Sequence, residues 1–137
     1  MKWKYLLKKH STKLLALSAI VLIYAFWNKL LGNNEVSVNK EGLTPGVNHS
    51  FVANTLWDSM KISGTNEDEI FFQLNGLSKE DLKQVFIEFG DKDYLPMIGG
   101  ESTFLGMPQN LTYILKQELD GDDLLNMQEL WNGTGLW

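Results

Sequence analysis

A chain of 137 residues with no cysteine, no arginine and only two histidines excludes disulfides, thiolate metal sites and a cysteine nucleophile. The net charge of −5 conceals a division: residues 1–31 carry six lysines and no acid, whereas residues 32–137 carry six lysines and seventeen acids, a net of −11. So acidic a body repels phosphate, which argues against nucleic acid as a partner, and with His10 and His49 both in polar surroundings neither an HExxH-type zinc site nor a Ser-His-Asp triad is expected.

Residues 1–13 form a basic head with Lys2, Lys4, Lys8, Lys9 and Lys13. Residues 14–31 follow as an apolar run, carried by Leu14, Leu17, Ile20, Val21, Ile23, Tyr24 and Trp27 among others. A helix over those residues would be roughly 27 Å long at about 1.5 Å per residue, just enough for a hydrocarbon core of about 30 Å. The alternatives are a removed signal peptide and a buried core helix. A cleavable signal, however, has small residues after its apolar segment, and here stand Tyr24, Phe26 and Trp27, then Lys29, with no A-x-A site. Bulky aromatics beside a snorkelling cation suit a membrane interface, so the expectation is an uncleaved single-pass signal anchor. The lysine bias places the head on the cytoplasmic side and the acidic body across the bilayer, in a periplasmic, extracytoplasmic or virion-associated setting.

Residues 32–50 read as a polar stalk with three glycines and Pro45. From residue 51 the pattern is helical. Ala53, Leu56, Trp57 and Met60 fall at i, i+3, i+4, i+7, one apolar stripe. Thr65 with Asp68 three residues on reads as the cap of a second helix, buried through Ile70, Phe71 and Leu74 and ended at Gly76. Ser78 with Asp81 opens a third, whose stripe is Leu82, Val85, Phe86 and Phe89 and whose stop is Gly90. Residues 91–109 read as irregular, broken by Pro96, Gly99, Gly100, Gly106 and Pro108. Leu111, Ile114, Leu115 and Leu119 mark a fourth helix stopped near Gly121; Asp122 or Asp123 caps a fifth with Leu124, Met127, Leu130 and Trp131 inward.

The segment Met60-Lys61-Ile62-Ser63-Gly64-Thr65-Asn66-Glu67 resembles the M-K-G-x-G-T-D-E signature that opens an annexin repeat, and Leu115-Lys116-Gln117-Glu118-Leu119-Asp120-Gly121 resembles the L-K-x-E-L-x-G segment that closes it. The resemblance spans residues 51–131 as a single repeat, with residues 96–109 additional to the pattern. It implies a compact five-helix bundle, so the expected fold class is all-α: an N-terminal transmembrane helix plus a small annexin-repeat-like domain over residues 51–137. It also implies calcium held by the carbonyls of Met60, Ile62 and Gly64 and by the carboxylate of Glu118, a mixed oxygen set of the kind a hard cation accepts.

Other motifs point to ordinary structure. Asp120-Gly121-Asp122-Asp123 and Asp91-Lys92-Asp93 begin like EF-hand loops but have leucine at the third ligand position and no acid at the twelfth, so they read as caps and solvated turns. Glu88 and Asp91 read as solvated charge rather than an acid–base pair. The expected function is therefore a single-pass membrane-anchored, non-catalytic structural or interaction protein, bound to the bilayer through residues 14–31 and to other proteins of a membrane-associated assembly, such as a bacterial envelope complex or a membrane-containing virion. The alternative, which the annexin resemblance implies, is a calcium-dependent lipid- or polyanion-binding module.

Overall fold

In a computed structural model of the chain the structure describes residues 36–137. After a single 3₁₀ turn at Lys40–Gly42 come α1 (His49–Met60), α2 (Glu67–Leu74), α3 (Lys79–Phe89), β1 (Lys92–Leu95), β2 (Gly100–Glu101), β3 (Met107–Gln109), α4 (Leu111–Glu118) and α5 (Gly121–Trp131).

Four of the five helices begin on a side-chain cap. The carbonyl oxygens of Asn48, Asn66 and Asn110 accept from the backbone N–H of Phe51, Glu69 and Tyr113, and Ser78 with Asp81 closes a reciprocal capping box. The cap of α2 is therefore Asn66, one residue beyond Thr65, whose hydroxyl is left for other work. The first turn of α5 follows Asp120, which makes no side-chain cap bond, and Gly121 belongs to that turn rather than stopping α4.

One core joins the elements. Val52, Ala53, Leu56 and Met60 of α1 meet Ile70 and Leu74 of α2, Leu82, Val85 and Phe89 of α3, Tyr94 of β1, Leu111, Ile114 and Leu115 of α4, Leu119, and Met127 and Trp131 of α5. Helix α1 packs on both α2 and α3, and Trp57 stands edge-on to Phe89 at 6.1 Å between ring centroids. Phe86, expected in the buried stripe of α3, is only half-buried.

The all-α expectation is corrected by residues 92–109. They form a three-stranded antiparallel sheet in the order β2-β1-β3. Tyr94 pairs with Glu101 on one side and Met107 on the other, and Lys92 pairs with Gln109. The strands are four, two and three residues long, too short to display the alternation that identifies a strand, and only Tyr94 of β1 is buried. Between β2 and β3 the chain crosses close over β1. A Cβ on Gly106 would lie 2.3 Å from the Ser102 carbonyl oxygen and 2.8 Å from the Asp93 carbonyl carbon, so only glycine fits. The expected transmembrane helix has no counterpart among the described residues, where no helix is long and apolar enough to cross a membrane. Residues 14–31, with Leu14, Leu17, Ile20, Val21, Ile23, Tyr24 and Trp27, lie outside the described residues.

Candidate functional site

Glu118, the last residue of α4, is where the two annexin-like segments meet. One of its carboxylate oxygens accepts from the hydroxyl of Thr65, in the loop after α1, and the other from the hydroxyl of Tyr94 in β1. The displacement of the α2 cap to Asn66 is what frees Thr65 for this contact. Strand β2 closes over the same loop. Glu101 N–H donates to the Lys61 carbonyl at 2.9 Å, and a Cβ on Gly100 would lie 2.8 Å from that oxygen. Gly99 approaches the carboxylate itself, 3.5 Å from Oε1 to its would-be Cβ. Burial first, and then the hydrogen bond to Glu118, raise the Tyr94 phenol well above the ordinary tyrosine range, so it stays a donor at any physiological pH.

The other members of the expected calcium set, the carbonyls of Met60, Ile62 and Gly64, belong to the last residue of α1 and the loop that follows it. Met60 is fully buried as the last residue of α1. The Ile62 side chain is 69% exposed, and Gly64 turns the loop at φ +98°. Both oxygens of Glu118 already accept from hydroxyl groups, so an ion there would share them with Thr65 and Tyr94. Among the described residues no three His, Cys, Asp or Glu side chains cluster as metal ligands.

A second carboxylate, invisible as a site in the sequence, is more deeply committed. Asp81, at the third position of α3, is fully buried. Its Oδ1 accepts from Thr44 N–H at 3.0 Å and from His49 Nε2–H at 2.8 Å; its Oδ2 faces the Thr44 hydroxyl, Ser78 N–H at 3.0 Å and Ser78 Oγ at 2.7 Å. Burial alone would raise its pKa, but the donors from Thr44, His49 and Ser78 together outweigh that and hold the carboxyl well below the usual carboxylate range. His, Ser and Asp thus come together, but in an order that cannot activate the serine. A triad puts histidine between acid and nucleophile, whereas here the acid stands between histidine and serine. The Ser78 hydroxyl also lies 2.9 Å from the Gly42 carbonyl, so its single proton is shared among acceptors. The cluster ties residues 39–49, which read as part of a stalk, onto α3. Asn39 N–H adds a 2.6 Å bond to Glu80, whose other oxygen takes Lys83.

Sequence reasoning missed Thr44, His49 and Asp81 as a unit, and Tyr94 as the partner of Glu118. Ser78 and Asp81 were readable as a cap, but nothing local announces that the cap is buried under a segment some 35 residues earlier. No family model matches the chain, and neither a curated protein nor a solved structure does. The annexin-repeat likeness accordingly rests on the two sequence segments alone.

Proposed function

We propose that this chain is a single-pass membrane-anchored, non-catalytic structural protein that holds a small acidic domain at the surface of a membrane-associated assembly, a bacterial envelope complex or a membrane-containing virion. The observation that carries the reading is how the polar and apolar groups are divided. Asp81, fully buried, and Glu118, half-buried, both accept from internal donors and tie separate segments of the fold together. Large apolar side chains meanwhile stand in solvent on the β1–β3 segment, Met97 at 92% and Phe104 at 91% exposure. Chemistry directed inward and apolar surface directed outward suit contact rather than turnover. The basic head and the aromatic-flanked apolar run supply the attachment.

Alkaline carbonate extraction of membranes containing the full chain, with mass spectrometry of its N-terminus, tests the anchor. The chain should remain in the membrane pellet with its N-terminal head intact. A released product beginning after residue 27 would overturn the reading.

A further inference from the structure

The last helix keeps one stripe of side chains in solvent. Leu125, Gln128 and Glu129 of α5, with Asn132 just beyond its end, recur at i, i+3, i+4, i+7 and are all exposed, whereas Met127 and Trp131 of the same helix are buried. The residues that follow are tied back to the helix end. Thr134 donates to the Trp131 carbonyl through its N–H, at 3.1 Å, and through its hydroxyl, at 2.7 Å, and its Oγ accepts from Leu136 N–H at 3.2 Å. Gly133 and Gly135, at φ +81° and +77°, make the reversal. Trp137 is pinned under the Lys116 ammonium, 4.7 Å from the ring centroid.

Between the exposed stripe and the segment 133–137 lies an open cleft of about 760 Å³, within the usual range of small-ligand sites. Trp131 lines it as well. That residue is wholly buried, and its indole N–H has no acceptor among the described residues. A buried donor is seldom left so, and the side chain that carries this one belongs to the cleft wall.

The lining narrows the chemistry of a ligand. Leu125 and Trp137 are apolar, the amides of Gln128 and Asn132 both donate and accept, Glu129 accepts, and the Trp131 indole donates. A phosphate or carboxylate brings acceptors only and would meet Glu129 with like charge. An amine would suit Glu129 but offers nothing to the Trp131 N–H. A sugar matches the whole set, because its hydroxyls donate and accept while its C–H face rests on an indole ring.

We propose that the cleft between α5 and residues 133–137 binds a neutral saccharide. Its hydroxyls bond to Gln128, Glu129 and Asn132, its ring rests on the face of Trp137 away from Lys116, and the Trp131 indole N–H donates to one of its oxygens. Glu129 is the one carboxylate in the lining, whereas cleavage of a glycosidic bond takes two, so the sugar is held and not cut. The site goes beyond the anchor reading and does not depend on it.

Indole N–H resonances of the ¹⁵N-labelled full chain, kept in phosphatidylcholine nanodiscs that contain no sugar, test this directly. They are assigned by single Trp→Phe substitutions, and cellobiose, maltotriose and chitotriose are titrated to millimolar concentration. With at least one of them the Trp131 and Trp137 cross-peaks should move and saturate, while that of Trp57, which stands against Phe89, stays in place. Gln128→Ala combined with Asn132→Ala removes two exposed amides, and should weaken that sugar about tenfold or more with the Trp57 cross-peak unmoved. No saturating shift with any of the three sugars overturns the proposal. So does a shift produced by sodium phosphate or benzoate and by no sugar, since the ligand would then be an anion. Movement of Trp57 together with Trp131 and Trp137 reports a general effect of the solution, and unchanged affinity in the double variant places the sugar elsewhere; either result also overturns it.

Discussion

Asp81 and Glu118 perform the same task by different physics. Each joins a non-helical segment to the helical frame across a long sequence gap: Asp81 holds Thr44, 37 residues away, and Glu118 holds Thr65, 53 residues away. Asp81 is wholly removed from water and survives as a charge because two backbone N–H groups, two hydroxyls and an imidazole converge on it. Glu118 stays half-buried and needs only two hydroxyls. A buried anion with a full set of donors is strongly favoured in place and costly to disturb, whereas a partly hydrated one can recover water when its partners are lost. The clamp on residues 39–49 should therefore be stiff, and the clamp on the sheet soft.

The comparison breaks if the two acids respond alike to substitution. Asp81→Ala leaves Thr44, His49 and Ser78 without their acceptor and should cost about 3 kcal/mol in urea unfolding, the upper end for hydrogen bonds to a charged group. Shortening the chain attacks the same clamp from the other side. A fragment beginning at residue 51 lacks Thr44 and His49, uncovers Asp81, and should be destabilised at least as much relative to one beginning at residue 36. Equal stabilities of the two fragments would show that residues 39–49 merely rest on α3.

Acid and alkali should separate the two clamps. The pKa of Asp81 is depressed in the folded state, so its contribution is fully present above its unfolded pKa and is lost as the pH falls below about 4 toward the folded value. Tyr94 is shifted the opposite way, by burial and by Glu118, so its contribution is present below its unfolded pKa and fades as the pH rises above about 10. Asp81→Asn should flatten the acid limb of the stability curve and leave the alkaline limb; Tyr94→Phe should do the reverse. If Asp81→Asn leaves the acid limb unchanged, other carboxylates carry it.

The soft clamp gives smaller numbers. Glu118→Gln keeps the size of the side chain but replaces one acceptor oxygen by a donor NH₂, so one hydroxyl loses its partner, at about 1–2 kcal/mol. Tyr94→Phe should cost a similar amount. Because both act through one contact, the double variant should cost less than the sum, with a coupling of roughly 0.5–3 kcal/mol. Strict additivity would mean that the Tyr94 hydroxyl and Glu118 do not meet in solution.

How far each region could be read from the sequence follows from how local its signals are. The stripe Leu82, Val85, Phe89 and the Ser78–Asp81 box lie within the helix Lys79–Phe89 and its cap, and mark α3 directly. The burial of Asp81 does not, since an acid in a first helical turn ordinarily faces water and favours the helix dipole from there. Its covering residues, Thr44 and His49, sit in a stretch whose glycines and proline suggest a linker. The sheet was hidden for a similar reason. Pro96 and Gly99 read as breakers of a helix, but they are the turn residues of a hairpin whose strands are too short to show a period. That Glu118 reaches the loop after α1 was indicated only by the annexin likeness, and what it meets there is a hydroxyl from a residue expected to be a helix cap.

The mildest perturbation, a divalent ion, asks whether the soft clamp yields. If calcium entered with a dissociation constant near 1 mM, then about 10 mM calcium would add roughly RT ln 11, or about 1.4 kcal/mol, and raise the melting temperature by several degrees. The geometry sets a cost against that gain. The ion competes with the hydroxyls of Thr65 and Tyr94 for the oxygens of Glu118, and Tyr94 is buried, so an O–H freed there has no water to turn to. Where both hydrogen bonds are lost, about 1 kcal/mol each is enough to cancel the benefit. Calcium should therefore stabilise residues 36–137 no more than magnesium does, both acting only by screening the excess of acids, and Glu118→Gln should leave the two shifts unchanged. A calcium shift that exceeds the magnesium shift and disappears in Glu118→Gln would show that the hydroxyls give way to the ion. Tyr94→Phe sharpens the test, because it frees one oxygen of Glu118 in advance. If calcium selectivity appears only in that variant, the Tyr94 hydroxyl is what keeps the ion out.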